Sequence, residues 1–77
     1  MNTRTEEITS RLSLVHTSCD SSTEIMVQFD GGNVMGVIKT YYCPDSNPFY
    51  FELSPSGWRN AINKADFLAR FETLKTA

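Results

Sequence analysis

The sequence predicts an α+β domain. The expected sheet is antiparallel, with three to four strands, and carries a C-terminal helix and an N-terminal helix on one face. Three observations lead there. Two β-rich runs, residues 24–30 and 34–42, flank Gly31-Gly32 in the middle of the chain. A third such run, residues 49–53, follows a loop bounded by Pro44 and Pro48. Beyond Asn63, apolar residues recur at helical spacing. With 77 residues the chain fits a single domain spanning 1–77. At 40% hydrophobic residues and a net charge of −2, it is too apolar for a disordered chain.

Taken in chain order, the N-terminal segment is the most ambiguous. Thr3-x-x-Glu6 resembles a capping box, and Ile8, Leu12 and Val15 share one helical face. Strand alternation through Ile8, Leu12, Leu14 and His16 competes with this, and Thr9, Ser10 and Ser13 are indifferent helix formers. The capping box and the shared face predict a helix. In the central hairpin, Gly31 and Gly32 permit the positive φ angles of a two-residue primed turn. That turn pairs Phe29 with Val34, Val27 with Gly36 and Ile25 with Ile38 on one face. On the other it pairs Gln28 with Met35, Met26 with Val37 and Glu24 with Lys39, the last an opposition of unlike charges.

Residues 43–48 read as a loop, because two prolines stand among Asp45, Ser46 and Asn47. In the strand that follows, Phe49, Phe51 and Leu53 share one face, and Tyr50 and Glu52 the other. Residues 54–57, Ser-Pro-Ser-Gly, form a turn. Residues 58–62 suit either a short fourth strand or a first helical turn capped by Ser56. The last helix is capped by Asn63, with Asp66 in its first turn and Lys75 in its last, both favoured by the helix dipole. Its stripe of Phe67, Leu68, Phe71 and Leu74 is expected to pack on the sheet.

Composition narrows the function. A pI near 5.2 argues against a dedicated nucleic-acid binder. The expected order α-β-β-β-α is that of a double-stranded-RNA-binding domain. Such domains open their last helix with a basic cluster, where this chain has Asn63-Lys64-Ala65-Asp66, and the fold is not assigned on that order. No apolar run approaches the roughly 20 residues of a membrane span. The first seven residues are polar and lack a signal-peptide core, so a cytoplasmic location and no membrane partner are expected. In the reducing cytosol Cys19 and Cys43 are expected as free thiols, although the hairpin brings them near one another. His16-x-x-Cys19 is half of a zinc-site spacing and lacks a second half, so no metal or cofactor is expected. One histidine, scattered carboxylates and no phosphate loop predict no catalytic set and no enzyme activity.

What remains is a surface. With helices on one face, Ile25, Val27, Phe29, Ile38, Phe49, Phe51 and Leu53 fill the covered side. The opposite side then presents Met26, Met35, Val37, Tyr41 and Tyr50, rimmed by Glu24, Lys39 and Glu52. A solvent-facing sheet is normally polar at such positions, and methionine and tyrosine suit adaptable contact surfaces. Residues 20–52 carry a net charge of −4 and residues 53–77 a net of +2, so the rim favours a basic partner. The expected function is therefore a small acidic, non-enzymatic protein-binding module. It would act as an inhibitor or adaptor of a larger enzyme or complex, for example as a phage or mobile-element accessory protein, or pair as a homodimer. The alternative is single-stranded nucleic-acid binding through Trp58, Arg59 and the exposed tyrosines.

Overall fold

The computed structural model describes residues 2–42, 47–54 and 56–77. They form a six-stranded antiparallel sheet in which each strand pairs with the next along the chain. The strands are β1 (Asn2–Glu7), β2 (Leu12–Ser18), β3 (Ser22–Phe29), β4 (Asn33–Tyr41), β5 (Pro48–Leu53) and β6 (Arg59–Ile62). One helix, α1 (Lys64–Lys75), closes the order. Cys43, Pro44, Asp45, Ser46 and Pro55 lie outside the described residues, as do the expectations placed on the Cys19–Cys43 pair and on the 43–46 part of the loop.

The expected fold class is corrected at the N-terminus. The predicted N-terminal helix is instead the hairpin β1–β2, and the sheet has six strands rather than three or four. The β-branched residues Thr3, Thr5, Val15 and Thr17 suit strands, and the Thr9-Ser10 pair makes the turn. The Thr9 hydroxyl accepts from the backbone N–H groups of Arg11 (3.2 Å) and Leu12 (3.0 Å). The supposed helical stripe is thereby split. Leu12, only 1% exposed, enters the core with Ile8 packed against it, whereas Val15 points to the opposite face of the sheet.

The central hairpin keeps the expected register from Glu24↔Lys39 to Val27↔Gly36 and then departs from it. Gln28 pairs with Val34 and Phe29 with Asn33, so Met35 is an extra residue in β4, a bulge. The turn has three residues, not two. Asp30 (φ 51°), Gly31 (78°) and Gly32 (132°) are all left-handed. Asp30 tolerates this because Arg11 holds it from the neighbouring turn, through Nε to Oδ1 at 2.7 Å and Nη2 to Oδ2 at 2.8 Å. The same guanidinium lies 4.5 Å from the Phe29 ring centroid.

Residues 59–62 resolve as the sixth strand. α1 begins where the sequence places it. The Asn63 side chain accepts from the Asp66 N–H at 2.8 Å, capping the first turn. The helix crosses the face that carries Leu12, Leu14, Val27, Ile38, Tyr50 and Ile62. Phe67, 5% exposed, is its anchor, with Phe71 and Leu74 beside it. The Phe67 ring sits over Gly36, where an added Cβ would lie 2.9 Å from Cε2, and is 5.2 Å from the Tyr50 ring. Leu68 departs from the expected stripe and is 44% exposed. Arg70 pairs with Glu52 and ties the helix to β5.

Candidate functional site

Strand alternation settles which side chains share the face opposite α1. The registers place Val15 opposite Met26, Met26 opposite Val37, Val37 opposite Phe51, and Phe51 opposite Ala61. A second row runs from Glu24 through Lys39 to Phe49, and Leu53 stands opposite Arg59. This is the sheet face that α1 leaves uncovered, and it is not uniform.

One part of it is closed over. Val37 is 1% exposed although α1 packs on the other side of the sheet. Arg59 on β6 donates to Glu24 on β3, from Nη2 to Oε1 at 2.8 Å, and Lys39 Nζ lies 3.4 Å from Glu24 Oε2. Three strand spacings across and about four residues along would separate Arg59 from Glu24 by roughly 20 Å in a flat sheet. Their contact means that the twist lifts these two corners toward one another, making the face concave along that diagonal. Phe51 and Val37 lie between the corners, so the ion pair spans them. Burial alone would raise the Glu24 carboxyl. The Arg59 and Lys39 contacts outweigh it and hold the group below its ordinary value of 4.5.

The other part is open. Tyr41, 44% exposed, and Phe49, 53% exposed, stack edge to face with centroids 6.0 Å apart and planes at 72°. Lys39 Nζ lies 5.3 Å from the Tyr41 ring, so one lysine joins the aromatic corner to the Glu24 pair. Tyr42 follows at 49% exposure. Trp58, 74% exposed, sits in the turn before β6, where its backbone N–H donates to the Ser54 hydroxyl at 3.1 Å.

The structure divides the residues that the sequence grouped together. Glu24, Met26, Val37 and Tyr41 share the uncovered face, but Val37 is buried, Met26 half-buried and Glu24 ion-paired. Tyr50 and Glu52 are on the helix side, against Phe67 and Arg70. Met35, at the bulge, lies beside Leu53, Arg70 and Leu74 at the margin of the helix. Phe49, Phe51 and Leu53, expected under the helix, face the uncovered side instead. The inversion of β5 arises because the length of the preceding loop, not the strand's own alternation, decides which side each residue meets. Phe49 was thus missed as an exposed aromatic. The acidic rim also changes character, since Glu24 and Glu52 are each matched by cations.

Of the residues considered for chemistry, His16 Nε2 lies 3.0 Å from Glu6 Oε1 on the helix side of β1–β2. Cys19, exposed in the β2–β3 turn, directs its Sγ to the Ser22 carbonyl at 3.5 Å. The Ser22 hydroxyl and the Ser21 backbone hold the Cys19 thiol below its ordinary value. Among the described residues no group of three or more His, Cys, Asp or Glu side chains could hold a metal ion. Nor is any helix among them long and apolar enough to cross a membrane. Compared with protein-family models, curated proteins and solved structures, the chain shows no match.

Proposed function

We propose that the chain is a protein-binding module whose contact surface is the Tyr41–Phe49 corner of the uncovered sheet face. The observation that carries this reading is the pair itself: two large aromatics stacked on one another and both about half exposed. Aromatic anchors with rigid, pre-set geometry dominate protein interfaces, because they bury much area at little entropic cost. Two cations of this face weigh against a nucleic acid: Lys39 and Arg59 share the Glu24 carboxylate, so their charge is already matched, and Lys64 near Phe49 is a single cation. The partner that fits is a protein surface presenting an apolar side chain to the corner. An inhibitor or adaptor would engage its target in this way.

Site-directed photocrosslinking tests the reading. A photoreactive residue at position 49 should capture a defined partner in the producing cell, whereas one at the exposed helix position 69 should not. Tyr41→Ala with Phe49→Ala should then weaken binding of the purified partner by at least about 2 kcal/mol while the fold stays intact. Equal capture from both positions, or unchanged affinity in the double variant, refutes the assignment. A single-stranded nucleic-acid shift that persists at physiological salt would favour the stacking alternative through Trp58.

A further inference from the structure

The sheet is open at β1. All six of its residues are exposed, and among the described residues its only strand neighbour is β2. Natural sheets protect such an edge with prolines, bulges, short strands, a covering element or charged side chains. β1 relies on the last alone, in Arg4, Glu6 and Glu7: it has no proline, and its register with β2 is regular from Asn2↔Ser18 to Glu7↔Ser13. Because those charges are of both signs, they repel a second copy of the strand only in some registers. Alternate residues of β1 therefore direct their N–H and C=O groups to an edge with nothing across from it among the described residues.

The charges on this strand are self-complementary. Arg4 and Glu6 lie on the same side of the sheet, two residues apart. From this pattern we infer that β1 pairs antiparallel with β1 of a second copy, about a two-fold axis at Thr5. That register sets each Arg4 directly opposite the partner copy's glutamate at position 6, twice by symmetry, and sets Thr5 opposite its own counterpart. Both kinds of pair are favourable across antiparallel strands. Among registers that keep five or more residues of β1 paired, a centre at Arg4 opposes two arginines. A centre between Arg4 and Thr5 leaves Arg4 opposite threonine. Parallel in-register pairing stacks like charges throughout. The axis at Thr5 stands perpendicular to the sheet, so the product is one continuous twelve-stranded sheet with both helices on the same side. The inference is independent of the Tyr41–Phe49 surface, which lies away from this edge and remains open in the pair.

Charge exchange tests it on the full chain. Sedimentation equilibrium of the wild type over a range of concentrations should show a monomer–dimer equilibrium. Arg4→Glu alone and Glu6→Arg alone should each weaken it at least tenfold, because each sets like charges opposite one another. The double exchange Arg4→Glu with Glu6→Arg should restore it, and mixing the two single variants should give a heterodimer. Thermal melts of each variant guard against misfolding, since Glu6 also lies 4.0 Å from Arg4 Nη1 within the strand and 3.0 Å from His16 Nε2. In a mixed-label sample, an intermolecular nuclear Overhauser effect should connect the Thr5 residues of the two copies. A wild type that stays monomeric at millimolar concentration overturns the inference. So does a dimer that is indifferent to both single exchanges, or one that is lost only on Tyr41→Ala.

Discussion

Replacing Phe67 by alanine should be the most damaging single truncation in α1. The ring is 5% exposed and is the only buried side chain of the helix among the described residues. Its floor is Gly36, which has no side chain that could move in to fill the void, and one of its walls is the Tyr50 ring. Loss of burial alone is worth about 1.5–3 kcal/mol. An unfilled cavity brings the expected total to about 3–5 kcal/mol. A chain of 77 residues has a stability of about 4–12 kcal/mol, so the variant should be marginally folded. At about 4–8 °C per kcal/mol, its melting temperature should fall by at least about 12 °C. Urea denaturation followed by far-ultraviolet circular dichroism is the suitable assay. Fluorescence of Trp58 is a poor reporter because the indole is 74% exposed in the native state. Leu68→Ala is the control. It lies one residue away, is 44% exposed, and should change stability by less than about 0.5 kcal/mol. A Phe67→Ala variant within 1 kcal/mol of wild type would refute the docking described here, and a Leu68→Ala variant of equal cost would show the helix rotated on the sheet.

Gly36→Ala sets a Cβ 2.9 Å from Phe67 Cε2 and 3.2 Å from the Phe51 carbonyl oxygen, and should cost about 1–3 kcal/mol. In a Phe67→Ala background that cost should shrink, a coupling that a double-mutant cycle on urea midpoints measures directly. Acid should destabilise the fold through two carboxylates. Arg11 holds Asp30 below its ordinary value of 3.8, and Arg59 and Lys39 hold Glu24 below 4.5. With folded values depressed, the unfolded chain binds more protons in this range. The stabilisation is present above about pH 4.5 and is lost as pH falls through the folded values. Asp30→Asn combined with Glu24→Gln should therefore flatten the dependence of the urea midpoint on pH below 4.5, and an unaltered slope would remove these pairs from the account. Arg59→Ala should cost less than about 1 kcal/mol, since the pair is partly solvated, and calorimetry in low and high salt checks both its size and its screening.

The parts of the fold legible in the sequence were those fixed by local chemistry. The Asn63 cap with Asp66 three residues on, the Glu24–Lys39 opposition and the left-handed glycines of the central turn each involve residues close in sequence or paired across one hairpin. The parts misread depended on packing beyond the segment. Ile8, Leu12 and Val15 match a helix as well as they match anything, until Leu12 finds Phe29 across β3 and closes the core. A signal for the hairpin was present in the β-branched threonines and in Thr9-Ser10. It was outweighed by a capping-box spacing that any threonine and glutamate three apart will imitate. The Met35 bulge has no local marker except Gly36 beside it. An isolated glycine within a strand does signal a bulge or a close approach of another element, and here it signals both.

The candidate surface moved for a related reason. Alternation within β5 was read correctly, as Phe49, Phe51 and Leu53 against Tyr50 and Glu52, but alternation carries no sign. The rule that apolar residues turn inward assigned the three to the helix side. That rule fails when apolar side chains are buried on both sides of a sheet. Here Phe67 buries Tyr50, and Arg70 neutralises Glu52, on one side. On the other, Val37 is buried and stands opposite the half-buried Phe51, on the diagonal between Arg59 and Glu24. A glutamate in an apolar strand is thus no evidence of exposure once an arginine from the next element can reach it. The consequence for binding is specific. Inverting β5 removes Tyr50 from the open face and replaces it with Phe49, beside Tyr41. The exposed surface becomes a compact aromatic corner instead of a broad methionine–tyrosine sheet, and its energetics should rest on two rings rather than be spread over five side chains.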